Sequence, residues 1–242
     1  MALVIPYPSD GLVDQLVRYK REAPLYIPNS FDYDVFEDKF WGDALQGEYP
    51  AAKTNGTSAA VTFTEHNLNG FLAFVSGTAD DGYAGQGMGL QFTGDRGVLG
   101  EFIIKTPAAV TTMKFEVGFT DADDDAGAVN AKATPTNTAT DFAVFIVDTD
   151  DDVNIAAISC IGGTETATQD IQAVAASTTY RFGVRIDGDN TLYTINGVVV
   201  AEHPAAIQGG NALTPWVFCQ ARAGSASRTI QLHKWRCIQP AY

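Results

Sequence analysis

The stretch Thr178-Thr-Tyr-Arg-Phe-Gly-Val-Arg-Ile-Asp-Gly-Asp-Asn-Thr-Leu-Tyr-Thr-Ile-Asn-Gly-Val-Val-Val-Ala201 decides the fold. Tyr180, Phe182, Val184 and Ile186 alternate with Arg181, Gly183 and Arg185, the period-two pattern of a strand with one buried face. Asp187-Gly188-Asp189-Asn190 ends that strand and a second follows. Asn196-Gly197 then closes the second onto a third. Asn-Gly is the preferred pair of a type I′ turn, whose twist matches two paired strands. Three consecutive antiparallel strands are expected here.

The same texture spreads in both directions. AAVTFT, GFLAFV, GLQF, GVLGEFIIK, TTMKFEVGFT, TDFAVFIVD, VNIAAISCI, TPWVFCQAR and SRTIQLHKWRC are rich in β-branched and aromatic residues, with turns of Gly, Asp, Asn and Thr between them. No helical period follows residue 31. About a dozen antiparallel strands and no helices predict an all-β, two-sheet sandwich.

The composition changes near residue 30. Pro6, Pro8, Pro24 and Pro28 lie before it, and the acids and bases of residues 1–30 balance to zero. Leu12, Val13, Leu16, Val17 and Lys20 make a narrow stripe on one short helix, capped by Ser9 or Asp10 and too short to stand alone in water. Residues 1–30 are therefore expected to form an arm with one amphipathic helix, and residues 31–242 the sandwich. The arm either closes one end of the core or ties the chain to a neighbour. Proline connectors on both sides favour the neighbour, with Leu3, Val4, Ile5, Leu12, Leu16, Val17 and Tyr26 as contact residues.

The chain has 242 residues, with 15 Lys and Arg against 29 Asp and Glu, a formal charge of −14. That balance argues against a nucleic-acid partner, which requires clustered cations, and against an anionic membrane surface. No apolar run approaches the roughly 18 residues of a membrane span. MALVIPYPSD lacks a basic start and is broken by prolines, so it is not read as a signal peptide. Cys160, Cys219 and Cys237 form no CxxC pair and are expected as buried free thiols, in keeping with assembly in a reducing cytoplasm.

The Y-x-F-x-V-x-I…L-Y-x-I-N-G meander resembles the late strands of concanavalin A-like jelly rolls, a group that includes LamG-like modules and family 16 glucanases. The opening Phe36-Glu-Asp-Lys-Phe-Trp41 resembles their entry strand, and Leu232-His-Lys-Trp235-Arg-Cys their closing strand. More narrowly, GAVNAKATPTNTATDFAVFIVDTDDD and ALTPWVFCQARAGSASRTIQLHKWR are similar to jelly-roll domains of tailed-phage virion proteins. That resemblance implies a non-enzymatic structural protein of the virion, made in the host cytoplasm. Its role would be capsid decoration or cement, with capsid subunits or copies of itself as partners. The alternative it implies is a carbohydrate-binding module of a phage fibre or adhesin, and a third is a degenerate glycoside hydrolase.

Glucanases of this fold set their acids as E-x-D-x-E on one strand, because alternate residues share a face and the retaining reaction needs two carboxyls close together. Here Glu101 and Glu116 stand alone on their strands and are expected on a solvent face. His66, His203 and His233 show no metal or triad spacing, and the glycine clusters lack the helix and Lys-Ser/Thr of a phosphate loop. No catalytic residue and no cofactor are expected, apart from a Ca²⁺ alternative at two acidic runs. These runs offer Asp121, Asp123 and Asp125, and Asp148, Asp150 and Asp152, as hard oxygen ligands. Neither has the EF-hand glutamate, and a hydrated turn is the preferred reading. Trp41, Trp216 and Trp235 are expected in the core. Tyr83, in Asp80-Asp81-Gly82-Tyr83, is the loop aromatic that a sugar ring could stack on.

Overall fold

The computed structural model describes residues 33–40, 49–63, 70–122, 127–133, 135–224 and 226–241. The expected arm and its contact residues lie outside these, as do Trp41, His66, Asp123 and Asp125. The strands, in chain order, are β1 (Tyr33–Asp38), β2 (Lys53–Asn55), β3 (Ala60–Phe63), β4 (Leu72–Val75), β5 (Tyr83–Gln86) and β6 (Phe92–Thr93). There follow β7 (Val98–Lys105), β8 (Met113–Thr120), β9 (Val129–Ala131), β10 (Thr136–Asn137), β11 (Phe142–Asp148) and β12 (Asp152–Ile161). The last six are β13 (Thr164–Ala173), β14 (Thr179–Asp187), β15 (Asn190–Ile195), β16 (Val198–His203), β17 (Ala212–Ala221) and β18 (Thr229–Pro240). A single 3-10 turn, Gly94–Arg96, is the helical element among the described residues.

Two antiparallel sheets form the sandwich. The first runs β16-β15-β14-β7-β18-β4-β3, with β1 also paired to β18, and the second runs β13-β12-β11-β8-β17-β5-β2, with β6 also paired to β17. The decisive meander forms β14, β15 and β16. Asn196 and Gly197 both take positive φ, 53° and 84°, as a type I′ turn requires.

Alternation explains how the sheets meet. Along β7, Val98, Gly100, Phe102 and Ile104 turn inward while Leu99, Glu101, Ile103 and Lys105 face outward. Phe102 meets Phe119 of the opposite sheet edge-on, at 6.2 Å between ring centres, the geometry aromatic rings prefer, and Phe145 meets Phe182 at 4.9 Å with the rings tilted by 46°. Trp235 closes this core beside Phe102 and Phe36. The three cysteines are free and buried, as expected.

First and last strands pair, Tyr33 opposite Pro240 through Asp38 opposite Trp235. Arg96 fastens this seam: its guanidinium bonds Asp34 at 2.8 Å and the carbonyls of Pro240 and Ala241 at 2.5 and 2.6 Å.

Two features depart from the sequence expectation. β13 is a ten-residue strand with no apolar alternation, because it is an edge strand whose residues are all exposed or half-buried. β8 and β11 are buried along their whole length on both faces, whereas the alternation of Lys114-Phe115-Glu116-Val117 suggests one wet face.

Gly118 sits in the middle of β8, where an added Cβ would come within 2.1 Å of the Ala143 carbonyl oxygen. Gly118→Ala is expected to destabilise the protein by about 2 kcal/mol or more, the scale of core overpacking, read as a lowered urea midpoint at unchanged slope.

Candidate functional site

β8 lies at the centre of the second sheet, between β11 and β17. Phe115, Val117 and Phe119 point into the main core, so Lys114, Glu116, Gly118 and Thr120 point to the opposite face. Register brings Ile146 and Phe218 to either side of Glu116, and Val144 and Trp216 to either side of Gly118. The alternate residues Lys114, Glu116 and Gly118 that β8 presents on this face are a lysine, one glutamate and a glycine.

The chain folds its own segment over this face. Residues 127–133 and 135–141 cross it as a plug. Ala128, Val129 and Ala139 pack on Phe142, Val144, Ile146, Ala156, Ile158 and Cys160 in a second apolar cluster, separate from the main core. The residues of the plug that touch the sheet are small, which lets its backbone approach closely.

Glu116 and Lys114 pin the plug from below. Both side chains are essentially inaccessible, 0% and 1% exposed, and their charges pair at 2.9 Å. The Glu116 carboxylate accepts the Ala128 and Val129 N–H groups at 2.7 and 3.1 Å, while the Lys114 ammonium donates to the Val129 carbonyl. The Lys114 ammonium also lies 5.1 Å from the centre of the Phe218 ring. A buried ion pair is sustainable only when its remaining donors and acceptors are satisfied, and the plug backbone satisfies them. The expectation of Glu116 on a solvent face is corrected: the cover is the segment that connects β8 to β11, invisible in the strand's own pattern. Glu101 does face outward, half-buried, near Arg181 and Lys234.

Two further cations hold the plug at its flank. Lys132 is fully buried and donates to Asp152 at 2.5 Å and to the Asn154 carbonyl at 3.0 Å. Arg222 grips Asp148 through two nitrogens, Nε at 3.0 Å, and donates to the Asn130 carbonyl at 2.7 Å.

These contacts fix the fate of the acidic runs. Asp121 accepts the Thr140 N–H and hydroxyl at 3.2 and 2.5 Å, next to the Phe142 end of β11. Asp148 lies at the other end of that strand, opposite Lys114, so Asp121 and Asp148 sit at opposite ends of β11. Asp148 is buried and taken by Arg222; Asp150 stands 4.0 Å from the same guanidinium; Asp152 is taken by Lys132. Burial alone raises Asp152, but hydrogen bonds from Lys132 and the Asn154 N–H outweigh it and hold the carboxyl below its ordinary value. Burial raises Asp150 against the pull of Arg222, helped by the charges of Asp148, Asp81 and Asp80. The second run is thus neither a bare hydrated turn nor an open cation cage. Among the described residues no three His, Cys, Asp or Glu side chains gather as a metal site.

Tyr83 also differs from expectation. It opens β5 rather than standing in a loop, pairs opposite Gln220, and lies half-buried with its ring 5.4 Å from Phe218. Trp216 continues the row, stacked on Phe218 at 6.1 Å. Trp216 is buried as expected, but on the plug side of the sheet, while Trp235 lies in the main core.

No protein-family model matches the chain, and no curated protein matches it by sequence. Solved structures match it by shape. A protein of unknown function from Shewanella oneidensis MR-1 aligns with TM-score 0.60 and 14% identity over 97% of both chains. The carbohydrate recognition domain of Emp47p aligns with TM-score 0.59 and 9% identity, over 86% of this chain and 97% of that one. A β-glucanase from Bacillus licheniformis aligns with TM-score 0.53 and 10% identity, over 84% and 96%. The fold is a concanavalin A-like jelly roll. Likeness at these identities carries the fold and no more.

Two outcomes test the plug. Glu116→Ala leaves Lys114 buried without its counter-charge and is expected to cost about 3–5 kcal/mol in chemical unfolding. Lys114→Met combined with Glu116→Leu is expected to cost clearly less than the two single changes added together. At the flank, adding millimolar Ca²⁺ to chelator-treated protein is expected to leave the melting temperature unchanged, since Arg222 and Lys132 already neutralise Asp148 and Asp152. A Ca²⁺-dependent rise would show that a metal competes for these carboxylates.

Proposed function

We propose that this chain is a non-enzymatic structural module, a capsid decoration or cement protein that attaches to the shell through residues 1–30. The observation that carries the reading is the plug. The sheet face where alternate residues of a central strand could present two acids is closed by residues 127–133 and 135–141 and holds a lysine–glutamate pair instead. The two stretches that resemble tailed-phage virion domains, Gly127–Asp152 and Ala212–Arg236, are the plug with its underlying strand, and β17 and β18, which lie in opposite sheets. The first of these stretches contains the residues that close this face. Attachment would rest on the arm contacts Leu3, Val4, Ile5, Leu12, Leu16, Val17 and Tyr26, with capsid subunits or copies of this chain as partners. Many weak contacts on a symmetric shell add up to avid binding.

Deleting residues 1–30 is the test. The truncated protein is expected to melt within a few degrees of the full chain yet load onto purified particles at least about tenfold less, a loss of ~1.4 kcal/mol per contact. Normal loading by a folded truncation would overturn the arm's role.

A second reading is sugar binding, supported by the shared fold of the Emp47p carbohydrate recognition domain and by the half-buried Tyr83 beside Phe218. Glycan-array binding that disappears in Tyr83→Ala would favour it over the structural role.

A further inference from the structure

At one edge of the sandwich the space between the sheets is polar. Ser159 of β12 points inward there, opposite Ala143 of the core. Its hydroxyl lies 2.7 Å from the Thr191 hydroxyl, 2.6 Å from the Tyr193 hydroxyl and 2.9 Å from Nδ1 of His203. The other ring nitrogen of His203, Nε2, lies 3.0 Å from the Thr168 hydroxyl. Ser159 and Thr168 belong to the second sheet; Thr191, Tyr193 and His203 belong to the first. His203 therefore bridges β16 and β13, the edge strands of the two sheets.

One proton arrangement satisfies the whole cluster with a neutral ring. Tyr193 donates to the Ile158 carbonyl at 2.9 Å, so Ser159 donates to the Tyr193 oxygen. His203 then donates through Nδ1 to Ser159 and accepts the Thr168 hydroxyl proton at Nε2. An imidazolium would still find two oxygens, with Thr168 turning its proton away. What it would lack is a counter-charge.

The groups facing the ring are Ser159 from β12, Thr168 from β13, and Thr191 and Tyr193 from β15. Tyr193 is the titratable one among them, and burial pushes its phenol up, so it stays neutral. Glu202, next to His203 on β16, is exposed. Of the β13 acids, Asp170 accepts from Asn154, and Glu165 pairs opposite Cys160. His203 is 2% exposed.

We propose that this cluster is an acid-sensitive latch: protonation of His203 releases the edge strands β13 and β16 from each other while the centre of the sandwich stays closed. Burial pushes the His203 imidazole below its ordinary value, and no neighbouring charge offsets it. The opened edge takes up a proton near pH 6.5, and the closed edge resists until lower pH. Because the open form binds more protons in that window, closure weakens as pH falls through it and levels off below the closed-state value. Above pH 6.5 the latch is fully engaged.

Amide hydrogen exchange on the full chain at pH 7.5 and pH 5, corrected for the intrinsic rate, tests this. Protection of β13, β15 and β16 is expected to fall by up to about tenfold per pH unit inside the window, while β7 and β8 keep theirs. His203→Gln, which can still donate and accept, is expected to remove that pH response. His233→Gln is expected to keep it, although burial and Lys105 push His233 down as well. Proton NMR of the unaltered protein gives an independent reading even if a variant does not fold. A His203 ring that titrates at or above 6.5, edge amides equally protected at both pH values, or an unchanged response in His203→Gln would each overturn the latch.

Discussion

A charged pair in a dry place governs the second sheet. Lys114 and Glu116 stand on its central strand with almost no access to water, so every remaining donor and acceptor on them needs a protein partner. The backbone of residues 127–129 supplies these partners, and that requirement places the plug. Once the plug is down, Val144, Ile146 and Ile158 on the strands beneath it become a second core, and β8 and β11 can be buried on both faces. Lys132 and Arg222 then serve as fasteners that tie the plug to β12 and β17.

Strands that alternate, turns that need positive φ and the pairing of first with last strand were all legible from residues 31 to 242. Tyr180 to Ile186 and Asn196-Gly197 behave as local chemistry dictates. β13 was not legible, because an edge strand with no fully buried residue has no apolar period to read. Glu116 was not legible either. Its strand pattern suggests a wet face, and the segment that covers it, Gly127-Ala128-Val129-Asn130-Ala131, reads as a loop of small residues. Whether a loop folds back onto a sheet depends on contacts distant in sequence. The one available signal was a charge pair two residues apart on a strand otherwise aromatic and apolar.

The acidity of the chain is handled unevenly for the same reason. The aspartates after β11 are absorbed by Arg222 and Lys132, whereas the outward face of the first sheet spreads its charges in a ladder from Glu37 through Lys234 and Glu101.

The seam between β1 and β18 has a mechanical consequence. A pull on the amino-terminal end of β1 acts at Tyr33, at the edge of a six-pair ladder. Tension along the strands must shear all six pairs together, whereas a sideways pull peels them one at a time from Pro240. The Arg96 staple sits at the end where peeling starts, joining Asp34 to Pro240 and Ala241. The sandwich is therefore reinforced at the point where a pull on β1 would begin to open it.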